Sequence, residues 1–257
     1  PIAVNNEHFK WQLELFWFQH QRVYKNPQAL TVIIEKNFIN EFTPPFNWDI
    51  SIPKILVSGV QTSDIYYTPL NIQYGLNQAI ENMSDEQVIE VLDCDMFHLS
   101  DRNIESMPHK TILCDPIYEN WHLGSLTYNK AIVERFAHTN NYYNGGFVPL
   151  ICTVKTMKSI LSTWTNVHYQ ILSVESEQSI RWWAGMYALQ VACEIHQVKM
   201  IGTSDCYIPP INSIEGKTIA HYSVDEIWAN KKGSKRNGSD ENTYTRIIRD
   251  YLINFVY

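Results

Sequence analysis

The strongest constraint on this chain is an alternation of two hydrophobic periods. Short apolar, often β-branched runs ("ALTVIIEK", "KILVSGV", "QVIEVLD", "KTILCDPIY", "KMIGTSDCYIPP") are separated by stretches whose apolar residues recur at helical spacing. Strands and helices in turn predict a layered α/β domain with a mostly parallel central sheet flanked by helices. The 257 residues suffice for one such domain with a sizeable core, and 1–257 reads as a single domain.

Five helices carry most of the helical signal. "EHFKWQLELFWFQHQRVY" places Phe9, Leu13, Phe16 and His20 on one face. "PLNIQYGLNQAI" starts near Pro69, and "NKAIVERFAH" and "VKTMKSILSTWTNVHYQIL" follow. "EQSIRWWAGMYALQVACEIHQV" is apolar on all sides, which predicts burial. "PIAVNNE" reads as a first strand ending at Asn5, "NNYYNGGFVPLICTV" as a Gly turn and a strand, and "KTIAHYSVD" as a late strand. "TYTRIIRDYLINFVY" closes the chain as an amphipathic helix, after a polar, basic segment read as a mobile loop over 231–242.

Binding classes narrow next. A net charge of −7 provides no basic field for a phosphate backbone, so no nucleic-acid partner is expected. No apolar run reaches the roughly 18 residues that cross a bilayer, so no membrane segment is expected in this chain. The five cysteines show no CxxC spacing, so no structural zinc site is indicated, and their odd count and wide spacing favour reduced thiols over a disulfide framework. That points to a soluble, cytoplasmic domain, or a lumenal one if an anchor preceded Pro1. The 8 Trp and 15 Tyr suit both a core and a site that stacks sugar faces.

The chemistry concentrates in "VIEVLDCDMFHL", where an apolar strand runs into Asp93 and Asp95. In open α/β sheets, ligands bind beyond the carboxyl ends of strands. Residues i and i+2 share a face in an extended chain, and a turn here would also let both acids converge. Two close carboxylates repel unless a cation neutralises them, and Mn²⁺ or Mg²⁺ accepts such hard oxygen ligands. Asp-x-Asp is also common in solvated loops. "TIAHYS" puts His221 beside a late strand, either as a third ligand or as a structural core histidine. Lys231, Lys232, Lys235 and Arg236 form a Gly-containing basic loop that either closes over a diphosphate or is simply solvated.

No Gly-rich phosphate loop or G-x-G-x-x-G follows the first strand, and no G-x-S-x-G elbow occurs. An acid pair without those loops favours a nucleotide-sugar transferase. A glycan-binding domain that has lost activity and a metal-dependent phosphohydrolase are the alternatives.

Several segments, in order, resemble glycosyltransferases of the GT-A (Rossmann-like) fold, and most closely hydroxyproline O-arabinosyltransferases and peptidyl-serine galactosyltransferases. They are "KWQLELFWFQHQ", "PLNIQYGLNQAI", "VIEVLDCDMFHL", "GGFVPLICTVKTMKSILSTWTNV", "RWWAGMYALQVA", "CYIPP" and "IAHYS". The chain departs from that pattern at Gly185, where the family has Glu, and at Ile72-Gln73, where it has Arg-Pro. The resemblance implies transfer of galactose or a pentose such as xylose or arabinose from a UDP-sugar to a hydroxyl of a glycan or glycoprotein. It implies that Asp95 binds the metal, Asp93 the metal or the donor ribose, and that His221 completes the metal site. Lys231 or Lys232 would neutralise the leaving diphosphate. Ala3, Val4 and Asn5 would hold the nucleotide base, and Asn71 the ribose or donor sugar. Gly145, Gly146 and Trp183 would meet the acceptor, although the glycines equally read as a β-turn and the tryptophan as core. An inverting reaction needs a carboxylate base, for which Glu177 and Asp205 are the candidates, with Glu175 behind them.

Overall fold

The computed structural model describes residues 2–3, 7–24, 30–35, 54–57, 61–62, 65–66, 70–93, 95–102, 104–116, 123–139, 145–203, 205–207 and 215–221. Strand β1 (Ile2–Ala3) is followed by helix α1 (Glu7–Val23) and β2 (Val32–Glu35). Next come β3 (Lys54–Val57), the short antiparallel pair β4 (Gln61–Thr62) and β5 (Ile65–Tyr66), and α2 (Asn71–Ile80). Then β6 (Val88–Val91), β7 (Met96–His98), β8 (Thr111–Pro116), α3 (Leu123–Ala137) and β9 (Gly145–Thr153) follow. The chain continues through α4 (Val154–Val174), α5 (Gln178–Ile195), β10 (Lys199–Gly202), β11 (Cys206–Tyr207) and β12 (Ile219–His221). The protein is α/β. It divides into two compact units, one drawn from 1–54, 93–102 and 205–257, the other from 55–92 and 103–204.

The second unit holds a four-stranded sheet in the order β10-β8-β9-β6. β10 and β8 are parallel, whereas β8–β9 and β9–β6 are antiparallel. The sheet is therefore mixed, not mostly parallel. A helix between two strands permits a parallel return but does not impose one, and hydrophobic period carries no strand direction. The central strands bury Ile112, Cys114, Leu150, Ile151 and Cys152, as their near-continuous apolar runs require. β6, expected as a buried strand, is instead the sheet edge; Val88, Ile89 and Glu90 are half-buried and only Val91 is fully buried.

Strand β9 passes straight into α4. Thr153, its last residue, caps the helix by accepting a hydrogen bond from Thr156 N at 3.2 Å. α4 then buries Met157, Ile160, Leu161, Trp164, Val167, His168, Ile171 and Leu172, one stripe at three-to-four-residue spacing. α5 packs against it and is buried on most sides, with Ala184, Ala188 and Ala192 fully inaccessible. Each large aliphatic side chain withdrawn from water here contributes about 1.5–3 kcal/mol before ordering costs. α5 ends with Gln197 in the left-handed region, φ 54°. There Gln197 N donates to Glu194 O and Val198 N to Cys193 O, closing the last turn.

In the first unit β1 and β2 are parallel, with Ala3 opposite Ile34. A second sheet has the order β11-β12-β7. β11 runs parallel to β12, and β12 antiparallel to β7, with Met96 opposite His221 and His98 opposite Ile219. α1 buries Leu13, Phe16 and His20, as their spacing predicts, and Trp17 besides. Gln19 Nε2 donates to His98 O at 3.0 Å, and Tyr24 meets the His98 ring edge-on at 4.8 Å. Helix α1 is thereby tied to β7, the strand that follows the acid pair.

Other expectations shift. "KMIGTSDCYIPP" forms two strands, β10 and β11, in different units. α3 starts at Leu123, before the expected "NKAIVERFAH". Gly145 and Gly146 open strand β9 rather than a turn. They lie where the β8–β9 register shifts, the kind of irregularity that glycine tolerates in a strand. The basic loop over 231–242 and the closing helix lie outside the described residues. Cys114, Cys152, Cys193 and Cys206 are free, buried thiols. Burial pushes the Cys152 thiol up to about 12 and Cys193 well above its usual value, which disfavours the thiolate at both. Among the described residues no helix is long and apolar enough to cross a membrane.

Candidate functional site

The site is built where β6 ends. The strand stops at Val91, and beyond Asp93 the chain turns, with Met96 N donating to Asp93 O at 3.1 Å. The two acids therefore do not sit on one extended strand; they flank a turn that leads into β7. Antiparallel pairing with β12 sets Met96 opposite His221. Asp95, the residue before Met96, consequently lies at the His221 end of that pair.

Three side chains converge there. One ligand atom each from Asp93, Asp95 and His221 lies within 4.8 Å of the others. His221 Nε2 and Asp95 Oδ1 are 3.7 Å apart. His221 and Asp95 are buried, at 3% and 9% exposure, and Asp93 is half-buried at the rim. Water therefore screens the two negative charges poorly. At 3.7 Å the histidine–aspartate pair is too long for a hydrogen bond. It does fit two ligands of one ion, because ligands bonded at about 2.1 Å can be at most about 4.2 Å apart. Two hard carboxylates with one imidazole suit Mn²⁺ better than an all-oxygen cage would, and also admit Mg²⁺. The spacing of that pair and the chemistry of the three donors fit a divalent ion.

The remaining candidates are dispersed. In the first unit, Ala3 ends β1 as described, while Val4, Asn5, Lys231 and Lys232 lie outside the described residues. Asp205 precedes β11, and its Oδ2 accepts a 2.6 Å hydrogen bond from Arg102 Nη2. In the second unit, Asn71 is the first residue of α2. Glu177 is exposed at the N-cap position of α5, where its carbonyl accepts from Arg181 N at 3.0 Å. Glu175, at the end of α4, lies 3.5 Å from Arg135 Nη1. Gly145 and Gly146 open β9, and Trp183 is half-buried on α5.

Sequence reasoning missed Arg102. Its only signal was a cation in "HLSDRN", a few residues past an acidic pair, and its partner lies 103 positions away. It also missed β7, because three residues make too short a run to show a period.

The sequence model described as the hydroxyproline O-arabinosyltransferase family N-terminal domain matches residues 2–201. Asp93 and Asp95 lie inside the matched span, whereas Asp205 and His221 lie beyond it. No curated protein matches the chain at a significant level.

Proposed function

Because the chain belongs to the hydroxyproline O-arabinosyltransferase family, and hence to the glycosyltransferases, we propose that it moves a sugar from a UDP-sugar to a hydroxyl of a glycan or glycoprotein, with a divalent ion, Mn²⁺ or Mg²⁺, held by Asp93, Asp95 and His221. A pentose, arabinose above all, is the favoured donor sugar, with galactose next. A GT-A arrangement of one catalytic domain is part of this reading. The observation that carries it is the convergence of those three side chains, from two segments more than 120 positions apart, on one point.

The division of labour follows from burial. Asp95, the more buried acid, would hold the ion, with its charge little screened by water. Half-buried Asp93 reaches either the ion or the donor ribose. His221 would ligate as a neutral imidazole, with Nε2, the atom 3.7 Å from Asp95 Oδ1, as the available nitrogen. When bound, the ion acts as a Lewis acid on the diphosphate as negative charge grows there during loss of the sugar. Lys231 and Lys232 add positive charge to the same leaving group. Ala3, Val4 and Asn5 hold the base, and Asn71 the ribose or donor sugar. Gly145, Gly146 and Trp183 receive the acceptor. Glu177 and Asp205 are the candidates for taking the acceptor proton, and the carboxylate of Asp205 also accepts a hydrogen bond from Arg102.

Titration calorimetry tests the reading. UDP is expected to bind in the presence of Mn²⁺ and to lose most of that affinity in EDTA. Equal UDP affinity in both, or none in either, overturns it.

A further inference from the structure

We propose that Arg102 and Asp205 are positioning residues for the Asp93–Asp95–His221 group, a clamp that fixes β12 on β7 in the register that brings His221 to Asp95. The proposal rests on that group being a metal centre, and it gives Asp205 a different task from proton transfer.

Among the described residues the strands of this sheet are short. β7 and β12 have three residues each and β11 has two. So short a ladder specifies register weakly, yet the site depends on it. A slip of one residue turns His221 to the opposite face of the sheet, and a slip of two carries it about 7 Å along the strand. Either displacement exceeds what one ion can bridge.

A closed circuit of contacts holds the other end of the sheet. Leu99 N donates to Thr218 O at 2.7 Å, and Ser100 N reaches the same oxygen at 3.4 Å. Thr218 N donates to Asp205 O at 3.0 Å, and Ile219 N reaches it at 3.3 Å. Arg102 Nη2 then donates to Asp205 Oδ2 at 2.6 Å, which returns the circuit to the segment following β7. All three strands of the sheet are joined at this one place. The pairing of Cys206 with Ile219, and of Ile219 with His98, puts the circuit at the end opposite Met96 and His221.

The charges explain why the clamp is firm. The Arg102 side chain is 6% exposed and that of Asp205 41%. A guanidinium so withdrawn from water is held tightly by a carboxylate at hydrogen-bond distance, and breaking that contact is costly. A planar donor fork also fixes direction, which an ammonium would not. The ion pair therefore resists sliding of β12, and its effect at the metal group is geometric.

The test measures Mn²⁺ affinity by calorimetry and amide hydrogen exchange across β7 and β12, in the full chain without donor or acceptor. Asp205→Asn is expected to weaken Mn²⁺ binding by about 10–100-fold, the usual effect of losing a residue that orients metal ligands. Exchange at Leu99, Thr218 and Ile219 should rise with it. Asp205→Glu, which keeps the charge at a partly exposed position, should recover most of the affinity. Ile171→Val, in the core of the other unit, controls for general loss of stability and should leave Mn²⁺ affinity unchanged. If Asp205→Asn binds Mn²⁺ within twofold of the wild type, or if Ile171→Val weakens binding equally, the clamp is wrong. A wild-type protein that takes up no Mn²⁺ overturns the metal reading itself, and the proposal with it.

Discussion

A Cβ placed on Gly185 would stand 3.1 Å from Cε1 of His168. The same imidazole meets Gln73 at 3.0 Å through Nδ1. Gly185 and Gln73 are both positions where the chain departs from the glycosyltransferase pattern it resembles. They are 112 positions apart in sequence, yet both abut His168. With its carboxamide oxygen toward Nδ1, Gln73 accepts from His168 and donates to Leu70 O at 3.0 Å. Trp164 Nε1 donates to Gly185 O at 2.7 Å. The imidazole occupies the volume that a side chain at 185 would take.

The first prediction concerns that volume. Glycine inside a helix costs about 1 kcal/mol relative to alanine, so Gly185→Ala would ordinarily stabilise. Here His168 is fully buried and tethered to Gln73, so it cannot give way. Overpacking of this kind costs about 1–3 kcal/mol. Gly185→Ala should therefore destabilise by about 1 kcal/mol in urea denaturation, and Gly185→Glu by more. In a His168→Ala background the same Gly185→Ala change should become neutral or stabilising. A stabilising Gly185→Ala in the wild-type background would show that His168 does not constrain position 185.

The second concerns acid. Burial lowers the His168 pKa from 6.5 to about 3. Above pH 6.5 the imidazole is neutral in both folded and unfolded chains. Between pH 6.5 and 3 the unfolded chain binds a proton that the folded chain does not, so stability falls as pH falls. Over that window the loss is at most about 5 kcal/mol from this group. His168→Asn, which keeps an acceptor or donor near Gln73, should be less stable at neutral pH but lose less stability between pH 6.5 and 4.5. Parallel stability curves for the two proteins over that range would exclude the role assigned to His168.

Much of this organisation was legible from sequence, and the limits have physical causes. α1, α2, α4 and α5 show in their periodicity because each buries one stripe or is buried on most sides, as Leu13, Phe16 and His20 or Met157, Ile160 and Trp164 illustrate. Asp93 and Asp95 stood out because acids after an apolar strand need a reason. Strand direction was not legible, since β8 and β9 have the same apolar texture whichever way they run. The burial of β6 was overestimated because an edge strand and a central one read alike when their residues are β-branched. Gly145 and Gly146 suggested a turn, but an irregular ladder asks for the same residue. Arg102 and Asp205 were beyond reach as a pair, because an ion pair between distant segments leaves no local pattern.

The third prediction tests the junction of β9 and α4. Thr153 Oγ1 accepts from Thr156 N at 3.2 Å and lies 2.9 Å from Thr156 Oγ1. Thr156 Oγ1 in turn accepts from Lys110 N at 3.1 Å, where Lys110 holds a left-handed φ of 53° just before β8. Thr153→Ala removes the cap and should cost about 1–2 kcal/mol. Thr153→Ser keeps the hydroxyl and should cost less than half of that. Chemical denaturation separates the two, and equal losses for Ala and Ser would assign the effect to the lost methyl rather than to the cap.

The last prediction returns to Asp95 and separates charge from fold. Without a cation, Asp93 and Asp95 repel each other near a buried imidazole. Asp95→Asn removes one of the two charges while keeping shape, so the metal-free protein should melt at the same temperature as the wild type or slightly higher. Metal binding should respond in the opposite direction. A protein that binds Mn²⁺ gains about 2.7 kcal/mol of stability at a free concentration of 100 times Kd, and the Asn variant should lose nearly all of that gain. Asp93→Asn, at the half-buried rim, should lose the Mn²⁺ gain only if Asp93 ligates the ion, and should keep it if Asp93 serves the ribose. Thermal shift in EDTA and in Mn²⁺, run on the three proteins side by side, reads all of these. An Asp95→Asn variant that keeps the full Mn²⁺ shift would remove Asp95 from the metal centre.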